Sequence, residues 1–353
     1  MNLLALQKKL QPNQAALILS EENRRYFTEF YTSDGYLIVS AKGSLFLTDS
    51  RYIEDAKFRV TACAVALQTD AHEQIDAFLR AKGCTEVLVE ASRMTMADLN
   101  GFREKHPQLI WNTSGTLDAY IQDFRSRKEV EELVLMTKAQ EIAEKSFLET
   151  LDYVKEGVLE RELAAELEYR MRLNGADGVG FDSIVVSGEN SSKPHGVPGM
   201  RALVRGDFIT FDFGALYQGY RSDTTRTVAL GKPSDEMRLV YNTVRKAQEA
   251  AVEALHAGIT ARAYDKVARD IITEAGFGPY FGHSLGHGVG IEIHEEPFCG
   301  PRSEAVLQDR NVVTSEPGIY LPGKFGVRIE DMLMVTEEGS QNFCKLTKDL
   351  IVL

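Results

Sequence analysis

Apolar residues in the first third of the chain fall into short runs separated by polar turns, which is the pattern of a small mixed domain. Tyr36-Leu-Ile-Val-Ser and Ser44-Leu-Phe-Leu-Thr flank Ala41-Lys-Gly43 and predict a hairpin. Residues 71–82 carry helical periodicity that stops at Gly83, a residue suited to a helix C-terminus. Glu86-Val-Leu-Val-Glu90 reads as a strand, and residues 95–105 as a second helix halted before Pro107. These signals predict an N-terminal α/β domain over residues 1–120.

Near Asp118 the pattern changes to charged amphipathic periodicity that runs to Gly157, predicting a long helical region and entry into a second domain, residues 121–353. A helix over 160–174 follows, closed by Gly175. Strands are expected over 183–187, 207–214 and 219–230, and helices over 234–257 and 260–276, before glycine-rich loops and strands. No short repeat is visible. The expected fold class is α/β in the α+β sense.

Composition narrows the function without revealing it. The formal net charge of −12 is unsuited to nucleic acid or an anionic membrane surface. No apolar run is long enough to span a bilayer, and the first residues read as an amphipathic helix rather than a leader. Cys63, Cys84, Cys299 and Cys344 are scattered without CxxC pairing, which suits reduced core thiols in a cytoplasmic protein.

The chemistry lies in four places. Asp212 and Asp223 are symmetric about Tyr217-Gln218, so a hairpin centred there would set them opposite each other with β-carbons about 5 Å apart. Phe211, Phe213 and Val228-Ala-Leu imply burial of the other face. Like charges so held call for a proton or a cation between them. Alone, the pair would pass for two solvated turn residues.

Three of the seven histidines, His283, His287 and His294, crowd one segment. His283 and His287 have the helical spacing of a zinc-protease pair, but Gly282, Gly286, Gly288 and Gly290 rule out a stable helix. The segment must be a loop or irregular strand where backbone approaches closely, with His294 at a strand beside it. His195, on Lys193-Pro-His-Gly-Val-Pro-Gly, is a further candidate that alone would be an exposed loop residue.

Glu316 precedes Pro317-Gly318 and ends a strand at a turn. In Gly326-Val-Arg-Ile-Glu330 the alternation puts Val327 and Ile329 on one face and Arg328 and Glu330 on the other. Together these blocks supply more carboxylates and imidazoles than a fold needs, and a metal site with hydrolytic machinery explains their gathering.

The order Asp212…Asp223, Gly282-His-Ser-Leu-Gly-His-Gly-Val-Gly, His294-Glu-Glu-Pro, Ser315-Glu-Pro-Gly-Ile-Tyr and Val327-Arg-Ile-Glu-Asp resembles the pita-bread metallopeptidases, in particular the Xaa-Pro aminopeptidase and prolidase branch. Asn23-Arg-Arg-Tyr-Phe-Thr and Leu47-Thr-Asp-Ser-Arg-Tyr resemble that branch's accessory domain, so the likeness covers the whole chain. It implies a curved antiparallel sheet covered by helices, with Asp212, Asp223, His287, Glu316 and Glu330 as ligands of two divalent cations. His195, His283 and His294 would line the substrate site, with Arg328 beside the metals, tuning Glu330 or steadying the substrate.

Oxygen-rich ligation with one imidazole suits Mn²⁺, with Co²⁺ or Zn²⁺ able to substitute. Four carboxylates balance two such ions. The implied activity is exopeptidase cleavage before proline in short peptides by a homodimer, with a water bridging the metals as nucleophile and Glu316 relaying its proton. Methionine aminopeptidases share the ligands but usually lack the N-terminal domain. Creatinase shares the two-domain build without the ligands, and a non-catalytic peptide-binding relative would have lost them.

Overall fold

The structure, a computed structural model, describes residues 2–353 as two compact units, one ending at Phe124 and one running from Arg125 to Leu353. In the first, helices α1 (Asn2–Lys9) and α2 (Glu21–Thr28) flank strand β1 (Gln14–Ile18). The hairpin β2 (Tyr36–Ser40) and β3 (Gly43–Thr48) follows, then α3 (Ile53–Arg59), β4 (Ala64–Leu67), α4 (Ala71–Lys82), β5 (Glu86–Val89), α5 (Met96–Lys105), β6 (Ile110–Asn112) and α6 (Thr116–Ser126). The six strands form one mixed sheet in the order β4-β3-β2-β1-β5-β6. Ala15, Leu17, Ile38, Val87 and Val89 on one face meet Ile75, Leu79, Leu99 and Phe102. The local signals act as expected: Asp70 and Thr95 cap α4 and α5 through their side chains, and Gly83 ends α4 in the left-handed region.

The second unit repeats one plan twice, a helix pair followed by antiparallel strands. The first pass holds α7 (Val130–Thr150), α8 (Glu160–Leu173), β7 (Gly178–Val179), β8 (Ile184–Ser187), β9 (Phe208–Phe213), β10 (Ala215–Tyr217), β11 (Tyr220–Arg221) and β12 (Thr224–Ala229). The second holds α9 (Asp235–Ala254), α10 (Ala261–Glu274), β13 (Gly286–Gly288), β14 (Glu295–Cys299), β15 (Val312–Ser315), β16 (Gly318–Leu321), β17 (Phe325–Arg328), β18 (Asp331–Thr336) and β19 (Gly339–Asn342). The strands form the sheets β12-β9-β8, β11-β10-β7, β14-β13-β15-β18-β19 and β16-β17.

Each helix pair covers its own strands. Phe147, Leu163 and Leu167 bury against Val185, Phe211, Phe213 and Val228, with the Phe147 ring stacked on Phe213 at 5.1 Å. Val240, Val244, Tyr264 and Ala268 bury against Val313, Val327, Ile329 and Leu333. The helix layers take the apolar side of each strand, so the opposite side, with Asp212, Arg328 and Glu330, is left to line a cleft. This is the helix-covered antiparallel architecture of the pita-bread fold. Among the described residues no helix is long and apolar enough to cross a membrane.

Two expectations change. The helical region over 118–157 is not continuous: α6 ends at Ser126 and α7 begins at Val130. Arg127 forms a bridge to Asn311, and buried Lys128 donates to the Arg125 carbonyl (2.6 Å) and to Glu295 (3.2 Å). Those bonds need extended backbone, and the Glu129–Glu132 capping box then restarts the helix. The strand over 219–230 is likewise interrupted, at Ser222 and Asp223.

Candidate metal centre

The aspartate hairpin turns one residue later than symmetry suggested. Gln218 (φ 43°) and Gly219 (φ 84°) form the turn, and Tyr217 pairs with Tyr220. A two-residue turn with both centres left-handed matches the twist of the flanking strands, and glycine adopts that conformation at no steric cost. The register therefore sets Asp212 opposite Thr225, not Asp223. Asp223 lies two residues from Thr225, so the aspartates share a face but sit diagonally. Asp223 is buried, and Asp212 is half-buried.

The second pass of strands brings the other groups. β13 carries His287 between Gly286 and Gly288 and pairs with both β14 and β15. A β-carbon on Gly286 would stand 2.2 Å from the Thr314 carbonyl oxygen, so only glycine lets the histidine strand lie this close. Glu316 leaves the end of β15, its amide bonded to the Leu285 carbonyl (2.8 Å). Glu330 sits in the break between β17 and β18, where its amide donates to the Thr225 carbonyl (3.1 Å) and its carboxylate accepts from the Thr225 hydroxyl (2.6 Å).

The result is a concentration of acceptors. Ligand atoms of Asp223, His287 and Glu330 all lie within 4.8 Å of one another. His287 Nε2 is 3.5 Å from Asp223 Oδ2 and 3.4 Å from Glu316 Oε1. His287 Nδ1 is 3.0 Å from the Gly288 carbonyl oxygen, so it carries the proton and Nε2 presents its lone pair to the carboxylates. One oxygen of Asp212 is buried without a hydrogen-bond partner.

The electrostatics of these groups show the same conflict. Burial, then Glu330 and Asp212, drives the Asp223 carboxyl well above its usual range. Burial, then Glu316 and Asp212, does the same to Glu330. Burial pushes Glu316 up to about 8 and holds His287 down at about 4. A neutral imidazole whose Nε2 lone pair faces carboxylate oxygens at 3.4 and 3.5 Å fits divalent cations.

Arg328 is the one guanidinium lining this cleft among the described residues. It reaches Asp212 rather than Glu330: Nη2 donates to Asp212 Oδ2 (2.5 Å), Nη1 to the Tyr320 hydroxyl (2.7 Å) and the Pro194 carbonyl (3.1 Å), and Nε to the Thr225 hydroxyl (3.0 Å). Arg328 is the last residue of β17, and its side chain reaches across to Asp212 on β9. It ties four segments together, including the loop that carries His195.

The four histidines separate by their partners. His283 has both ring nitrogens engaged, Nδ1 with the Ser284 carbonyl (2.8 Å) and Nε2 with the Tyr320 hydroxyl (3.0 Å). Burial lowers it to about 4, so it is neutral. His294 is exposed, lies edge-on to His287 at 4.3 Å and makes no other bond among the described residues. His195 is also exposed and lines the cleft.

The cleft, 470 Å³, brings together all nine residues singled out in the sequence: Asp212, Asp223, His195, His283, His287, His294, Glu316, Arg328 and Glu330. Two partners were missed. Tyr320 lay within a quoted motif without a role, and Thr225, in the Thr-Thr run after Asp223, gave no signal of its own.

Known proteins resemble the chain over both units. A model of Metallopeptidase family M24 matches residues 134–337, and one of the Creatinase/Prolidase N-terminal domain matches residues 3–125. The Xaa-Pro dipeptidase of Pyrococcus furiosus is 38% identical over 317 residues, 90% of this chain and 89% of its own. A solved Xaa-Pro dipeptidase from Bacillus anthracis superposes with a TM-score of 0.94 at 38% identity, covering 100% of this chain and 98% of its own. An X-Pro aminopeptidase from Thermotoga maritima does so with a TM-score of 0.92 at 36% identity, covering 99% and 100%.

Proposed function

The chain belongs to metallopeptidase family M24, and we propose that it is an exopeptidase that hydrolyses the bond between an N-terminal residue and a following proline in short peptides. The observation that carries this is the clustering in one cleft of Asp212, Asp223, His287, Glu316 and Glu330, with ligand atoms of Asp223, His287 and Glu330 within 4.8 Å of one another and Glu316 3.4 Å from His287. Proline is supported by the similar Xaa-Pro dipeptidases and X-Pro aminopeptidase. The cleft volume of 470 Å³ suits a ligand of a few residues.

In this reading the five residues hold two divalent cations, Mn²⁺ by the hardness of the oxygen ligands, with Co²⁺ or Zn²⁺ substituting. When bound, the cations supply Lewis acidity that polarises the scissile carbonyl and acidifies a water. The remaining work falls to the chain. Glu316 takes a proton from the attacking water and delivers it to the imino nitrogen of the departing proline as the C–N bond breaks. His294, with unpaired ring nitrogens, donates to the oxygen of the tetrahedral intermediate. His195 faces the substrate from its loop.

His283 has no free N–H, so it acts on substrate only by exchanging a present partner; its standing role is to fix Tyr320. Arg328, with four of its five N–H groups bonded within the protein, positions Asp212 and the His195 loop rather than gripping substrate. We also place the enzyme in the cytoplasm, where its four free thiols would stay reduced, and as a homodimer.

The test is a panel of Ala-Pro, Ala-Pro-Yaa, N-acetyl-Ala-Pro-Yaa and Ala-Ala peptides with added Mn²⁺. Cleavage of the first two, resistance of the acetylated peptide and a loss of at least about tenfold in kcat/KM on replacing proline by alanine are expected. Equal cleavage of Ala-Ala and Ala-Pro would remove the proline assignment. Efficient release of Met from Met-Ala peptides would favour a methionine aminopeptidase.

A further inference from the structure

We infer that the cleft also reads the charge of the substrate's N-terminal side chain, favouring lysine or arginine, and that Asp182 is the residue that reads it. The inference rests on the Xaa-Pro reading above and names which Xaa that site prefers. Asp182 lines the cleft and is exposed, and no hydrogen bond or ion pair links it to another described residue. It stands just before β8, where burial alternates: Ser183 and Val185 are buried, while Asp182 and Ile184 face the cleft. The segment is thus extended, with Asp182 and Ile184 on one side.

The register then fixes its distance from the reacting centre. Ile184 is paired directly with Asp212, so their β-carbons are about 5 Å apart. Asp182 is two residues further along, another ~6.6 Å, which puts it roughly 8 Å from Asp212. A substrate's α-ammonium is two bonds from the scissile carbonyl and cannot span that gap. A lysine's five bonds from Cα to Nζ reach about 6 Å, and the Asp182 carboxylate, extending from its own β-carbon, makes up the rest.

The wall between suits such a side chain. Phe181, Ile184, Ile293 and Phe298 all line the cleft and present apolar surface for the methylene stem. Arg221 joins the segments of Phe181 and Ile293, its Nε donating to the Gly180 carbonyl (2.7 Å) and its amide to the Gly290 carbonyl (2.9 Å). The charge of the lining guanidinium, Arg328, is paired with Asp212, and its other bonds go to Tyr320, Pro194 and Thr225 rather than to Asp182. The His195 loop leaves the opposite end of β8, which separates the two recognition elements along the cleft.

The experiment compares kcat/KM of the Mn²⁺-loaded enzyme for Lys-Pro, norleucyl-Pro and Glu-Pro. Norleucine keeps the stem and removes the charge. The wild type should favour Lys-Pro over norleucyl-Pro by about tenfold, as for a charge-assisted hydrogen bond. Asp182→Asn should bring that ratio within about twofold, and Asp182→Lys should invert the order of Lys-Pro and Glu-Pro. About 1 M salt should erode the wild-type preference. A wild-type ratio below about two, or one unmoved by both substitutions, overturns the inference while leaving the Xaa-Pro reading intact. Failure to cut any of the three overturns both.

Discussion

A single hydroxyl shows how much the candidate centre depends on residues that are not ligands. Thr225 donates to Glu330 and accepts from Arg328, fixing a carboxylate and the guanidinium that fixes Asp212. Thr225→Val keeps the shape but leaves two buried charged groups short of a bond, so a loss of about 2 kcal/mol in stability by denaturant titration is expected, with lower metal content by elemental analysis. The histidines should part company in the same assay. His287→Ala should lose metal. His294→Ala should keep it while kcat falls about 10²- to 10³-fold, the usual cost of one oxyanion donor. Metal loss in His294→Ala would mean that ligand and substrate histidines are wrongly assigned. At this scale the ligand types were legible because each lay in a motif, whereas Thr225 is an ordinary strand threonine until register sets it opposite Asp212.

Strands decide how these residues meet. The glycines around His287 ruled out a helix in the sequence, and the structure shows what they permit: β13 lies so close to β15 that position 286 has no room for a methyl group. Gly286→Ala should therefore cost at least about 2 kcal/mol, since the clash is with the Thr314 carbonyl rather than a flexible side chain. A denaturation midpoint equal to wild type would refute that close packing. The hairpin teaches the complementary lesson. Alternation put Asp212 and Asp223 on one face correctly, because a shift of the turn by one residue moves the register by two and preserves the face. It could not tell opposite from diagonal, which depends on the Gln218-Gly219 turn.

For the molecule as a whole, the uncompensated carboxylates make metal-free protein sensitive to pH. Glu316 is raised to about 8 from its ordinary value, and Asp223 and Glu330 are raised as well. A raised acid stabilises the fold while protonated, so this contribution is lost as pH climbs through the folded value. His283 and His287 are lowered to about 4, and their contribution is lost as pH falls below the ordinary histidine range. Chelated protein should thus show a Tm that falls from about pH 6.5, above which the histidines become neutral in folded and unfolded chain alike, to above pH 8. Metal-loaded protein should have a higher Tm and a flatter profile, because bound cations replace the protons as counter-charge. Identical profiles with and without chelator would count against a cation site in this cluster.

The sequence by itself determined most of the elements, because periodicity and caps are local properties of neighbouring residues, and its motifs pointed, through the family they resemble, to the helix-covered plan and the candidate acceptors. Tertiary structure alone decided which acceptors lack a counter-charge, that Arg328 serves Asp212 rather than Glu330, that His283 is occupied while His294 is free, and that Asp182 stands unpaired along the cleft. Those facts are set by register and by contacts between segments distant in the chain, 37 residues apart for His283 with Tyr320 and 105 for Thr225 with Glu330. A carboxylate's charge is written in its residue type, but its partner is chosen only when the strands close around it.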